Sequence, residues 1–86
     1  MVYGSDLKPL KLSEDDLLFL DTLMSFSYGH VSEIKLRNKL LGLGMNEAIY
    51  NSTKRRLLYG RLIGSVYGNV TLEKKDYKEI ETSQDI

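Results

Sequence analysis

Eighty-six residues with no cysteine, and with Lys+Arg and Asp+Glu balanced at 12 each, predict one small domain without net charge. The missing thiols exclude disulfides, thiolate catalysis and cysteine-type zinc sites. No apolar run approaches the ~18 residues that a membrane-spanning helix needs. A chain this short buries only about 60–65% of its unfolded surface, so its stability margin is thin and a homodimer interface would help.

The charge is balanced but unevenly spread. Residues 1–30 carry Lys8 and Lys11 against five acids, a net −3. Residues 31–62 carry Lys35, Arg37, Lys39, Lys54, Arg55, Arg56 and Arg61 against Glu33 and Glu47, a net +5. Residues 63–86 return to −2. A basic middle between acidic ends is the asymmetry that suits a polyanionic partner. The opening Met-Val-Tyr-Gly-Ser-Asp has neither the basic leader nor the apolar core of a signal peptide, so a cytoplasmic location is expected.

Residues 1–12 contain Gly4 and Pro9 among scattered leucines and read as an N-terminal arm. Ser13 followed by Glu14, Asp15 and Asp16 is an N-cap with an acidic first turn, and it starts a helix expected to run to Phe26 or Tyr28, where Gly29 ends it. Its apolar residues Leu17, Phe19, Leu20, Leu23, Met24 and Phe26 span about half the helical circumference, wider than one core needs. Either the helix is sunk deep in its own domain or it lends one side to a second copy. The second reading places Phe19, Leu23 and Phe26 in a dimer interface.

Val31-Ser32-Glu33 restarts a helix with Ser32 as cap and Ile34, Leu36, Leu40 and Leu41 on its apolar side. Gly42 and Gly44 break it, with Leu43 and Met45 expected to plug the core. Asn46 caps the next helix and Glu47 suits its positive end. On a wheel, Ile49, Tyr50, Thr53 and Leu57 share one side, and Ala48, Asn51, Ser52, Arg55 and Tyr59 share the other. The second side is small, then polar, then basic. Small residues let a helix approach a base edge, and Asn and Arg read adenine and guanine through paired hydrogen bonds. A Lys-Arg-Arg run is also what an ordinary solvated surface helix carries. Arg61 to Tyr67 and Val70 to Leu72 alternate like strands around a Gly68-Asn69 turn, a small hairpin. From Glu73 the composition turns helical again, with Tyr77 and Ile80 on one side, and 81–86 form a polar tail.

This order resembles a winged helix-turn-helix domain of small prokaryotic and archaeal transcriptional regulators. The carriers are Leu36-x₃-Leu40-x₂-Leu43, Glu47-Ala48, Arg56-Leu57 before Leu62-Ile63, and Val70-Thr71-Leu72-Glu73-Lys74-Lys75. The chain departs from the pattern at Lys54, where an apolar residue is usual, and at Gly60-Arg61, where the glycine stands one residue early. The expected fold is therefore mainly α with a small β-hairpin, over residues 13–80. The resemblance implies duplex DNA binding as a homodimeric regulator. Ala48, Asn51, Ser52 and Arg55 would read bases, and Lys35, Lys39, Lys54, Arg56 and Arg61 would hold phosphates. Tyr67, Gly68 and Asn69 would form a wing without a cation.

Winged helices also serve as protein-interaction modules in larger complexes, and the near-zero charge suits that alternative. A further reading, single-stranded nucleic acid stacked on Tyr50, Tyr59 and Tyr67, is weakened by Tyr50 falling on the core side. Chemistry is not expected. The single histidine, His30, follows a glycine in a turn, and Asp15 and Asp16 stabilise a helix start. No glycine-rich phosphate loop is present, nor any serine with a base at telling spacing. No enzyme, metal, membrane or small-molecule cofactor is expected.

Overall fold

The structure, a computed structural model, describes residues 11–79. Among these, three α-helices and a three-stranded antiparallel sheet make an α+β unit: α1 (Glu14–Met24), β1 (His30–Ser32), α2 (Glu33–Gly42), α3 (Glu47–Tyr59), β2 (Ile63–Val66) and β3 (Asn69–Leu72). Short 3₁₀ turns cover Ser27–Gly29 and Tyr77–Glu79. The expectations for residues 1–10, Ile80 and 81–86 lie outside the described residues. Leu12, assigned to the arm, is 1% exposed and belongs to the core.

The three helix starts follow their sequence signals. Ser13 closes a capping box: its hydroxyl accepts from the Asp16 N–H at 3.2 Å, and its own N–H donates to Asp16 Oδ2 at 3.0 Å. Ser32 accepts from the Lys35 N–H and Asn46 from the Ile49 N–H. The ends are less obvious. α1 stops at Met24, short of Phe26, because Ser25 caps it and Phe26 swings into extended backbone. Gly29, at φ +80°, then turns the chain into a strand.

That strand is the main departure from expectation. The helix restarts at Glu33 behind the Ser32 cap as expected, but Val31 before it lies in a strand. Val31 pairs with Val70, between His30–Thr71 and Ser32–Asn69, so β1 lies against β3 and the sheet order is β1-β3-β2. A three-residue strand has no period of its own to read. It exists because β3 offers it a ladder. Ser32 thus ends β1 and caps α2 at once. The hairpin register, with Val66 opposite Asn69, moves the turn to Tyr67-Gly68. Both residues have positive φ, +52° and +80°, as the type I′ turn of a two-residue hairpin requires.

α1 is central. It borders α2, α3, β1 and β3. Phe19, Leu20 and Leu23 are fully buried, and the Phe19 ring stacks on Tyr50 with centroids 5.6 Å apart. Phe19 and Leu23 therefore cannot supply a dimer interface, since they have no surface to offer, and Phe26 is half-buried against the same core. The helix's own domain takes Phe19, Leu20 and Leu23 from the wide apolar arc, leaves Leu17 and Phe26 half-buried and leaves Met24 43% exposed. Leu43 is also corrected: it is 52% exposed, while Met45 alone plugs the core from the turn.

α2 and α3 end in the same way. The Gly44 N–H bonds the Leu41 carbonyl and the Met45 N–H bonds Leu40, a Schellman motif with Gly44 at φ +110°. After α3 the Arg61 N–H bonds Leu58 and the Leu62 N–H bonds Leu57. Here Gly60 keeps right-handed backbone and Arg61, at φ +65°, takes the left-handed seat. The early glycine is thus explained. The turn is kept, because it delivers buried Leu62 onto buried Leu57, and a non-glycine residue carries its strain. Arg61→Gly should raise unfolding free energy by about 0.5–1 kcal/mol, the left-handed strain released less the added unfolded-state entropy. A urea titration measures it.

Candidate nucleic-acid interface

α3 separates its two sides as the wheel predicts. Tyr50, Thr53 and Leu57 are buried and Ile49 packs against the core. Ala48, Asn51, Ser52, Arg55 and Tyr59 are all exposed, and at spacings of three and four they form one continuous stripe along the helix. Ser52 donates its hydroxyl to the Ile49 carbonyl at 3.2 Å, leaving its lone pairs outward. Among the described residues Arg55 makes no ion pair.

The cations beside the stripe divide into two groups. Lys54, Arg56 and Arg37 are held by acids of the chain itself. Lys54 Nζ lies 2.6 Å from Glu33 Oε2 in the first turn of α2, and the Tyr50 hydroxyl donates to the same oxygen at 3.0 Å. The Lys54 hydrogen bond holds the Glu33 carboxyl below the usual range against the opposing effect of burial. Burial, with Glu33 adding to it, pushes the Tyr50 phenol up, so it stays a donor. Arg56 pairs with Asp16, whose side chain is 4% exposed against 50% for the arginine. Arg37 of α2 pairs with Glu47 in the first turn of α3. Lys54 and Arg56 were expected on phosphates. Both instead face acids, because α1 and α2 present carboxylates to the flanks of α3.

The second group, Lys35, Lys39, Arg55 and Arg61, makes no ion pair among the described residues. All four are exposed. Arg61 lines an open groove at the end of α3 with Leu58, Tyr59, Ile63, Gly64 and Glu73. The hairpin tip carries Tyr67, 97% exposed, beside Gly68. Asn69 is not at the tip. It stands in β3 between Ser32 and Val66, half-buried. On the same outer sheet face the His30 ring meets the Thr71 hydroxyl at 3.1 Å.

Reading the sequence missed Glu33 and Asp16 as organisers of α3. Their partners are 21 and 40 residues away, and no local pattern signals such pairs. At Tyr77–Glu79 a 3₁₀ turn replaces the expected helix, and Tyr77 is fixed by donating its hydroxyl to Asp21. No family model, curated protein or solved structure matches the chain. No helix among the described residues is long and apolar enough to cross a membrane.

The two ion pairs should differ in what they contribute. Arg56→Met strands a nearly buried carboxylate. Loss of one partner from a buried pair costs about 3–5 kcal/mol, and the half-exposed guanidinium reduces this to roughly 2–3 kcal/mol. Lys54→Met should cost less, since Glu33 is partly solvated and keeps the Tyr50 hydroxyl. Denaturant titration of both variants tests the order. The folded pKa of Glu33 is lowered, so its stabilisation is present above the ordinary value of 4.5 and fades as pH falls through the lower folded value. Glu33→Gln should accordingly lose less stability than the native chain on acidification below pH 4.5, measured by thermal melts.

Proposed function

We propose that the chain is a winged helix-turn-helix protein that binds duplex DNA and regulates transcription. α2 is then the supporting helix, α3 the recognition helix and the β2–β3 hairpin the wing. The carrying observation is the stripe Ala48, Asn51, Ser52, Arg55 and Tyr59, exposed along the whole of α3 while its opposite side is locked into the core. A helix that leads with small and polar groups and follows with an unpaired arginine matches what a major groove presents.

In this reading Arg55 and Asn51 read base edges, with Ser52 and Ala48 at close approach. Lys35, Lys39 and Arg61 meet phosphates. Arg56 is removed from that set by its buried partner, and acts through Asp16 to fix the angle of α3. The wing contributes little, because its tip is uncharged and Asn69 is engaged in the sheet. Phe19 and Leu23 belong to the core and Phe26 packs half-buried against it, so a homodimer would have to use another surface.

Lys35, Lys39 and Arg61, which make no ion pair among the described residues, release about three counterions on phosphates, which predicts a salt slope of roughly −3 in a plot of log affinity against log salt. Titration of a mixed-sequence duplex by fluorescence anisotropy at several salt concentrations measures it. After selection of a preferred duplex from a random pool, Arg55→Ala should cost about 1–3 kcal/mol on that duplex and far less on random DNA. Asn69→Ala should cost less than Arg55→Ala. Absence of binding to any duplex at low salt would sink the DNA reading and favour a protein-interaction module.

A further inference from the structure

We propose that Glu33 limits DNA affinity without touching a base: its carboxylate keeps Lys54 from the phosphate backbone and so holds down sequence-independent binding. This rests on the DNA-binding reading of α3. Glu33 is held in place from two directions. Its backbone N–H donates to the Gly68 carbonyl at 2.9 Å, tying it to the hairpin turn. Its Oε2 accepts from Tyr50 and Lys54, which stand one helical turn apart on α3. The acceptor is therefore prearranged for the lysine.

Of the two pairs that hold cations of α3, the Lys54 pair is the exchangeable one. Its side chains are 22% and 30% exposed, within reach of solvent and of a phosphate. A lysine ammonium on its flexible stem reorients readily. When it leaves, Glu33 still has the Tyr50 hydroxyl. Arg56 has no such freedom, because its departure abandons a carboxylate that is 4% exposed. Of the two α3 cations held by acids, then, Lys54 alone is balanced between an internal acid and a phosphate, and Glu33 sets the balance. Contacts to phosphate are worth the same on every sequence. Withholding one therefore lowers affinity for every duplex by the same factor and leaves the Arg55 and Asn51 contacts, and the difference between preferred and random DNA, as they are.

The test compares the native chain, Glu33→Gln, Lys54→Met and the double variant on a short mixed-sequence duplex from ~50 to ~200 mM salt. Glutamine keeps an oxygen for Tyr50 and Lys54, so the first variant retains the local hydrogen bonds. Glu33→Gln should steepen the salt slope by about 0.9, a gain of roughly threefold at the low-salt end relative to the high-salt end. Lys54→Met in the native background should leave the slope nearly unchanged, and in the Glu33→Gln background it should restore the native slope. Lys54→Gln replaces Lys54→Met if circular dichroism shows the latter poorly folded. A full loss of ~0.9 from Lys54→Met in the native background would overturn the proposal, since Lys54 would already be on a phosphate. Equal tightening by Glu33→Gln with and without Lys54 would overturn it too, because the acid would then act by general repulsion. Binding by none of the four proteins would instead remove the DNA reading, and this inference with it.

Discussion

The structure depends on a carboxylate taken almost entirely out of water. Asp16 is 3% exposed. An isolated ionised group in that position is expensive enough to be avoided or answered. It is answered twice. The Ser13 N–H reaches it from the start of its own helix, and the Arg56 guanidinium reaches it from α3. One group therefore starts α1 and also sets where α3 lies across it. Phe19 on Tyr50 makes the apolar contact between the same two helices, one turn further along α1. With that crossing fixed, the polar stripe of α3 has nowhere to point but outward.

Electrostatics divides labour among residues that look alike in sequence. Lys54, Arg55 and Arg56 are consecutive, yet one faces a half-solvated acid, one faces solvent and one faces a buried acid. The helical advance of about 100° per residue is the cause. Three neighbours on a helix meet three environments, and the acids of α1 and α2 stand on either side of the open one. A balanced chain can therefore present a locally basic surface. Among the described residues its acids neutralise the cations that support the fold and leave those at Lys35, Lys39, Arg55 and Arg61 unanswered.

What was legible in the sequence was local. Ser13, Ser32 and Asn46 announce helix starts through hydrogen bonds that close within three residues, and the two sides of α3 follow from a period of 3.6. What was not legible depends on distant chain. β1 is too short to carry an alternation and is defined by β3, some 40 residues on. The apolar arc of α1 is too wide for one neighbour, but its four neighbours arrive from later segments. The roles of Lys54 and Arg56 changed for the same reason. Their spacing places them on the flanks correctly, but only the folded arrangement puts Glu33 and Asp16 opposite. Arg61 was partly legible: the misplaced Gly60 signalled an unusual helix end, and the left-handed arginine is its resolution.

The position of β3 at the centre of the sheet, with β1 on one side and β2 on the other, has a consequence for synthesis. The chain leaves the ribosome with α1, β1, α2 and α3 before Asn69–Leu72 exists. Until then β1 has no partner, and α1 and β1 lack the buried Val70 and Leu72 that β3 supplies. Nearly the whole domain must therefore emerge before any of it is worth ordering, as contacts of long sequence separation demand. Such a nascent chain carries its basic helix early and its closing strand late. A message broken between the codons of Tyr59 and Asn69 yields a product with every cation of α3 and no β3 to complete the sheet.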